Sequence, residues 1–297
     1  MKKEGKKIKL SKEEFIYQVV ISTVLVIVLI CCVIPFLYVV GMSFTSEGEM
    51  IERNYFVIIP KKPILAAYSY LFTSTGFLAG LRVTFVRTVL GVVAALILSV
   101  PLGYTLAQEN LPFKKSSMLF FIITMILSGG LIPSYMLMNK LHLLNTFWVY
   151  IVPGCANTYG ILVVKLFVEG IPNDIMESAD LDGASEIQKM IRIAIPLLKP
   201  TICALGLFAA VIHWNDWFTT MVYVRDAKYY PAQFIVRNLL TQSTSGEMMS
   251  NISTYARMTS KSMKMASVVV GVVPILCVYP FLQKYFISGM YTGSVKG

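Results

Sequence analysis

Six apolar runs divide this sequence, and each has the roughly 20 residues that a helix needs to cross the core of a lipid bilayer. They cover residues 16–42, 83–107, 117–138, 147–168, 201–224 and 266–288. Of the 297 residues, 56% are hydrophobic and 14% are charged, which is too apolar for a soluble domain with a single core. The sequence therefore predicts an all-α, polytopic membrane protein with six transmembrane helices and both termini on one side.

The distribution of lysine and arginine predicts the orientation of these helices. The tail of residues 1–15 carries six lysines, so the positive-inside rule places it in the cytoplasm. The polar segment of residues 171–200 and the tail of residues 289–297 then lie in the cytoplasm too, whereas residues 43–82 and 225–265 are external. The net charge of +10 is interpreted as a determinant of topology, and no nucleic-acid partner is expected.

The first apolar run, residues 16–42, is interpreted as a retained membrane anchor. It is longer than the apolar core of about 7–15 residues in a secretory signal, and no small-residue cleavage site follows it. Each external loop also contains a stretch with the composition of a short helix, at residues 64–72 and 232–240.

The sequence lacks the patterns of a membrane enzyme. It has two histidines, and it contains no H-E-x-x-H, G-x-S-x-G or Walker A motif. Its five cysteines fall inside the apolar runs, without the close pair spacing of a metal site. We therefore expect no catalytic residue, no metal site and no bound cofactor in this chain, and an energy source that belongs to partner proteins.

Residues 171–200 are too polar to cross a bilayer, although they join two apolar runs. Asn173 or Asp174 is predicted to cap a short helix, and Gly183 to end it in the left-handed conformation. A capping box of Ser185 and Gln188 is predicted to start a second helix. One face of this second helix is apolar and the other is charged: Ile187, Met190, Ile191, Ala194 and Ile195 against Glu186, Lys189 and Arg192.

The segment is therefore expected to lie on the cytoplasmic surface, where it offers a rigid ledge to a partner. The alternative is a solvated loop that only folds over the helix bundle. The spacing of its residues favours the ledge: Glu177-Ser178-Ala179, Gly183 after three residues, and Ile193-Ala194-Ile195-Pro196 after nine more.

This spacing resembles the loop E-A-A-x(3)-G-x(9)-I-x-L-P of binding-protein-dependent ABC importer permeases, with serine and isoleucine at two of its positions. The stretch IHWNDWFTTMVYV, residues 212–224, and the final residues 279–297 resemble the carbohydrate-uptake branch of that family, the MalG-like permeases of LplB/YtcP type. The resemblance extends over nearly the whole chain, from the first apolar run to Gly297.

The resemblance implies a MetI-like, type I ABC importer fold with a core permease domain over residues 83–288, in the plasma membrane of a bacterium. It also implies the partners: a second homologous permease in a heterodimer, two cytoplasmic ATPases that use ATP and Mg, and an external solute-binding lipoprotein. The expected function is uptake of an oligosaccharide that this lipoprotein delivers.

The resemblance also assigns roles to particular residues. The residues expected to couple the chain to the ATPases are Glu177, Ser178, Ala179, Asp182, Gly183, Ile193 and Pro196. The C-terminal residues expected to reach the ATPases are Ser294, Val295, Lys296 and Gly297. Polar residues at membrane depth are functional candidates, so the substrate pathway is assigned to Trp214, Asn215, Asp216 and Trp217, with helix packing as the alternative role.

Two other interpretations remain open. An ion-coupled secondary transporter would need a cluster of carboxylates within the membrane, and Asp216 alone supports it weakly. A permease for a non-sugar solute would share the same loop.

Arg87 lies near the start of its apolar run, so it is expected to extend to the membrane boundary as an anchor.

Overall fold

A computed structural model describes residues 12–74, 76–242, 261–274 and 276–277. Within these ranges every regular element is helical, as the all-α prediction requires. The chain divides into two compact units, one of Met1–Tyr70 with Glu247–Val269 and the other of Leu71–Gly246 with Val270–Gly297.

The first unit contains a long apolar helix, a short polar helix and the start of a third. Its elements are α1 (Lys12–Ser43), α2 (Glu47–Glu52) and the start of α3 (Ala66–Ser74). α1 is apolar on all sides and stays exposed until its last residues, as a helix surrounded by lipid requires. Near its end, Met42, Met50 and Val57 form a small core.

The second unit contains the remaining helices. These are α4 (Phe77–Ala107), α5 (Lys114–Ile126), α6 (Leu131–Lys140), α7 (Thr158–Glu169), α8 (Asn173–Leu181), α9 (Glu186–Lys189), α10 (Ile195–Leu197), α11 (Lys199–Asn215), α12 (Phe218–Tyr223) and α13 (Ala232–Gln242). Short 3₁₀ turns at Phe147–Tyr150 and Val152–Gly154 precede α7, and a π turn at Met190–Ala194 joins α9 to α10. The two short helices expected in the external loops are α3 and α13.

Helix α4 is the centre of the second unit, and α7 and α11 pack against it. Their contact is close because small residues lie in it: Gly103 of α4 faces Ile161 and Val164, and Gly160 of α7 faces Ser99. Small residues at such contacts allow helix backbones to approach each other, which increases the van der Waals contact between helices in lipid.

Replacing Gly103 with alanine is expected to destabilise the chain by about 1–3 kcal/mol, because the added methyl group overpacks this contact. Its carbon would lie 2.6 Å from Cβ of Val164 and 2.7 Å from the carbonyl oxygen of Ile161. The measurement is the thermal unfolding midpoint of the detergent-solubilised protein. Gly206→Ala in α11 is the control, since its nearest neighbour, Leu96, is at an ordinary 3.4 Å; equal midpoints for both variants would contradict the prediction.

Some of the six predicted spans have the expected form in the described residues, and others do not. Three segments are long and apolar enough to cross a membrane, Lys12–Ser43, Phe77–Ala107 and Phe147–Glu169, and two bent helix pairs raise the number to as many as five. The sixth predicted span, residues 266–288, lies largely outside the described residues; residues 266–274 are helical.

The third predicted span, residues 117–138, is not one continuous helix. Helices α5 and α6 meet there at a bend of 112°. The chain between them contains Gly129 and Gly130, and Gly130 has a φ of +84°, which only glycine adopts without strain. The fifth predicted span, residues 201–224, is also interrupted, because α11 ends at Asn215 and α12 begins at Phe218.

Candidate functional site

The first half of the polar segment 171–200 folds as a helix and a glycine turn. Helix α8 follows Pro172, which occupies the capping position, so the prediction that Asn173 or Asp174 caps it is wrong. Proline has no side-chain acceptor, so α8 begins without a side-chain cap. Gly183 has a φ of +73° and its N–H donates to the Asp180 carbonyl at 3.0 Å, so its predicted turn conformation is confirmed.

The second half begins as predicted and then departs from the prediction. The Ser185 hydroxyl accepts from the Gln188 N–H, and the Gln188 side chain accepts from the Ser185 N–H at 2.9 Å, so the capping box is confirmed. The π turn that follows inserts one extra residue per turn and rotates the later residues around the helix axis. Lys189 is buried, because its ammonium group pairs with Asp180 and Glu186, while Ile187 and Ile191 are exposed, so the predicted faces are wrong for these three residues.

The expected coupling residues do not all face outward. Glu177, Ser178, Asp182, Gly183 and Pro196 are exposed, and Ile193 is half-buried. Ala179, by contrast, is 8% exposed and faces its own chain. The exposed side also presents large apolar side chains of Leu181, Ile187 and Ile191, of which Leu181 is 90% exposed. An exposed surface that mixes carboxylates with large apolar groups is typical of a protein interaction site.

An open cavity of about 660 Å³ lies farther along α4, in the second unit. Most of its wall is apolar, from residues such as Leu137, Met138 and Ile212, and its polar side chains include Arg87 and Asp216. A largely apolar cavity with a few convergent polar groups has the usual composition of a ligand site.

Arg87 and Asp216 form an ion pair in the wall of this cavity. The Arg87 side chain is 1% exposed, and its Nη2 lies 2.5 Å from Oδ2 of Asp216. Its Nη1 donates to the Asp216 carbonyl oxygen at 3.0 Å, and its guanidinium lies 4.2 Å from the centre of the Tyr150 ring. The expectation that Arg87 reaches the membrane boundary is therefore wrong, because the break between α11 and α12 supplies both a carboxylate and a free carbonyl.

Of the four residues assigned to the substrate pathway, Asp216 alone lines this cavity. The Trp214 indole N–H donates to the Gly271 carbonyl at 3.0 Å, and the Asn215 amide donates to the Val211 carbonyl at 2.9 Å. The Trp217 ring centre lies 3.8 Å from the guanidinium carbon of Arg237. Trp214 and Trp217 thus contact other segments of the chain, whereas Asn215 is exposed and bonds within its own helix.

Sequence reasoning missed Arg87, Tyr150 and His213 as cavity residues. Opposite charges in two different apolar runs are a usable signal, because each charge is costly in a membrane and tends to be paired.

The C-terminal residues Ser294, Val295, Lys296 and Gly297 lie outside the described residues.

Comparison with known proteins identifies the class. The family described as "Binding-protein-dependent transport system inner membrane component" matches residues 73–290, and the chain belongs to this family. It is thus an inner-membrane transport component that works with a solute-binding protein, and its helices have the MetI-like fold. ATP hydrolysis in such systems is carried out by separate subunits, so the chain is a transport subunit and not an enzyme.

Two individual relatives are similar in sequence to this chain over most of their length. The chain is 38% identical to "Protein LplC" of Bacillus subtilis over 269 residues, which is 89% of this chain and 90% of that protein. It is 33% identical to the "polygalacturonan/rhamnogalacturonan transport system permease protein YtcP" of the same organism, over 95% of this chain and 99% of that protein.

A solved structure also resembles the chain over most of its length. A chain of a bacterial ABC transporter "involved in the import of the acidic polysaccharide alginate" has a TM-score of 0.84 and 26% identity, over 94% of this chain and 100% of that one. The resemblance predicted from the loop spacing is therefore confirmed.

Proposed function

We propose that this chain is a permease subunit of an ATP-driven importer that takes up an oligosaccharide from a solute-binding protein. The observation that carries the proposal is the similarity to the alginate importer chain, at a TM-score of 0.84 over 94% of the sequence. The similarity to YtcP, named for transport of galacturonan-type polysaccharides, supports the same substrate class.

The proposed assembly has four further parts besides the sugar. A second homologous permease completes the translocation pathway, two cytoplasmic ATPases use ATP and Mg, and an external lipoprotein binds the sugar. In this assembly the chain has six spans and cytoplasmic termini. The six lysines of residues 1–15 support that orientation.

The segment of residues 171–200 is the proposed contact with an ATPase. Its helix–turn–helix form, its outward carboxylates and its exposed Leu181, Ile187 and Ile191 support the proposal. Residues 294–297 are proposed to add a second contact with the ATPases.

The cavity is the proposed section of the substrate pathway in this chain. Asp216, whose side chain is 20% exposed, supplies a hydrogen-bond acceptor, the buried Arg87 holds it in place, and Tyr150 adds an aromatic ring. Sugars present adjacent hydroxyl groups and apolar ring faces, which these groups complement. Of the residues first assigned to the pathway, we retain Asp216 and propose packing roles for Trp214 and Trp217.

Uptake into proteoliposomes tests the proposed function. Vesicles that hold this chain, its partner permease and the ATPases are expected to accumulate a labelled galacturonan, alginate or neutral oligosaccharide only with ATP and the binding protein. The control is an ATPase whose Walker A lysine is replaced, which cannot position the phosphates of ATP.

Two results would contradict the proposal. Uptake driven by an ion gradient without ATP would identify a secondary transporter. Uptake of a non-sugar solute, with every oligosaccharide rejected, would retain the ABC importer and reject the carbohydrate.

A further inference from the structure

We propose that Lys189 is a positioning residue that fixes the segment of residues 171–200 to helix α4, so that a push on the segment moves a membrane span. The inference rests on the proposed coupling of residues 171–200 to an ATPase. It goes beyond that coupling, because it names the contacts that carry motion from the segment into the rest of the chain.

Lys189 first joins the two helices of the segment. Its Nζ lies 2.6 Å from Oδ1 of Asp180 in α8 and 2.5 Å from Oε1 of Glu186 in α9. The Lys189 side chain is 7% exposed, whereas the two carboxylate side chains are 58% and 60% exposed. The ammonium group is thus enclosed between its partners, and a bridge of this kind limits the angle between α8 and α9.

Glu186 then joins the segment to the membrane. The hydroxyl of Tyr104, near the end of α4, donates to Oε2 of Glu186 at 2.9 Å. The Tyr104 ring is 5% exposed and packs in a core with Val164 of α7 and Leu198 at the start of α11. The contacts therefore run without a gap from Asp180, through Lys189 and Glu186, to a buried ring of α4.

The positive charge of Lys189 is stabilised by its two carboxylate partners, Asp180 and Glu186. Hydrogen bonds from the ammonium group to Asp180 and Glu186 raise the pKa of Lys189 above its ordinary value, so the group stays charged in the cell. Separation of α8 from α9 would break the contact of this charge with Asp180. Movement of α8 away from α9 is therefore opposed, and the two helices are expected to move as one body.

Helix α4 provides the route onward to the cavity. It is continuous from Phe77 to Ala107 and carries Tyr104 at one end of the route and Arg87 at the other. At a rise of about 1.5 Å per residue, the two residues are about 25 Å apart along the helix. A displacement of the segment thus reaches the cavity wall through one helix, with no loop between.

The test compares four variants in the complete transporter, of which Lys189→Arg keeps the charge. Lys189→Met removes the charge, and Tyr104→Phe removes one hydroxyl while keeping the buried ring. Lys115→Met is the matched control, because Lys115 is an exposed lysine at the start of α5. The measurements are ATPase co-purification with the permease and the number of sugar molecules taken up per ATP hydrolysed.

Lys189→Met and Tyr104→Phe are expected to retain the ATPases and to lower uptake per ATP about tenfold, within the usual range for coupling between sites. Lys115→Met is expected to match the wild type. Lys189→Arg is expected to restore most of the uptake, because a guanidinium can still bridge two carboxylates.

Wild-type uptake per ATP in both Lys189→Met and Tyr104→Phe would overturn the proposal. If Lys189→Met does not fold, Tyr104→Phe decides the result, because it leaves the core volume almost unchanged. An ATPase that does not bind the wild-type chain would refute the proposed coupling itself, and this outcome is separate from a loss of uptake per ATP.

Discussion

Replacing Asp216 with alanine is expected to destabilise the permease by about 3–5 kcal/mol, because the substitution leaves a buried guanidinium without its counter-charge. Arg87 is 1% exposed and has its short ionic contact with Asp216. Its Nε is buried without a hydrogen-bond partner among the described residues, so the guanidinium already depends on its other two nitrogens. The thermal unfolding midpoint of the detergent-solubilised protein is the measurement.

Glu52→Ala is the matched control, because Glu52 also pairs with a cation, Lys61, but in an exposed position. Exposed ion pairs contribute little to stability, so no measurable change in the midpoint is expected. An Asp216→Ala midpoint equal to that of the control would contradict the prediction that the buried ion pair stabilises the protein.

The double variant Arg87→Met with Asp216→Ala separates structure from transport. Removing both charges is expected to recover most of the lost stability, since no uncompensated charge remains. If Asp216 contacts the sugar as proposed, the recovered protein still transports poorly. Full recovery of uptake would limit the pair to helix packing.

Replacing Gly183 with aspartate is expected to reduce uptake about tenfold or more while the permease remains folded in the membrane. Aspartate and asparagine tolerate the left-handed conformation that Gly183 adopts, at φ +73°. A carbon added at Gly183 meets no atom of the described chain within 4 Å. The expected loss of uptake therefore comes from a surface outside this chain, which is the proposed ATPase.

Two comparisons make this prediction specific. Gly48→Asp introduces the same side chain at another glycine with open space, in helix α2 of the loop expected to be external, and is expected to leave uptake unchanged. Gly183→Asn adds a side chain of nearly the same size as aspartate but without its charge. This variant, too, is expected to weaken ATPase co-purification. Retention of the ATPases and of uptake in both Gly183 variants would reject the coupling role of this turn.

Local features of the segment 171–200 could be predicted from the sequence. The capping box of Ser185 and Gln188 and the left-handed turn at Gly183 depend on residues three or four positions apart, and both formed as predicted. The π turn at Met190–Ala194 was missed, because the helical period assumed for the sequence has no place for an inserted residue.

The cavity shows the opposite case. Asp216 was selected for its charge in an apolar run, but its partner, Arg87, lies 129 positions earlier in the chain. Nothing in the periodicity around either residue identifies the other. The same holds for Lys189, whose burial depends on Asp180, nine positions away.

The sequence by itself determined the helical class, the apolar runs and the signals that start and end short helices, because these depend on composition and on contacts within one or two turns. Tertiary structure alone decided where the third and fifth apolar runs break, which charges are buried and which pairs neutralise them. The physical reason is that the cost of burying a charge is offset only by a partner brought close by folding, and helix packing makes that choice among residues far apart in the chain.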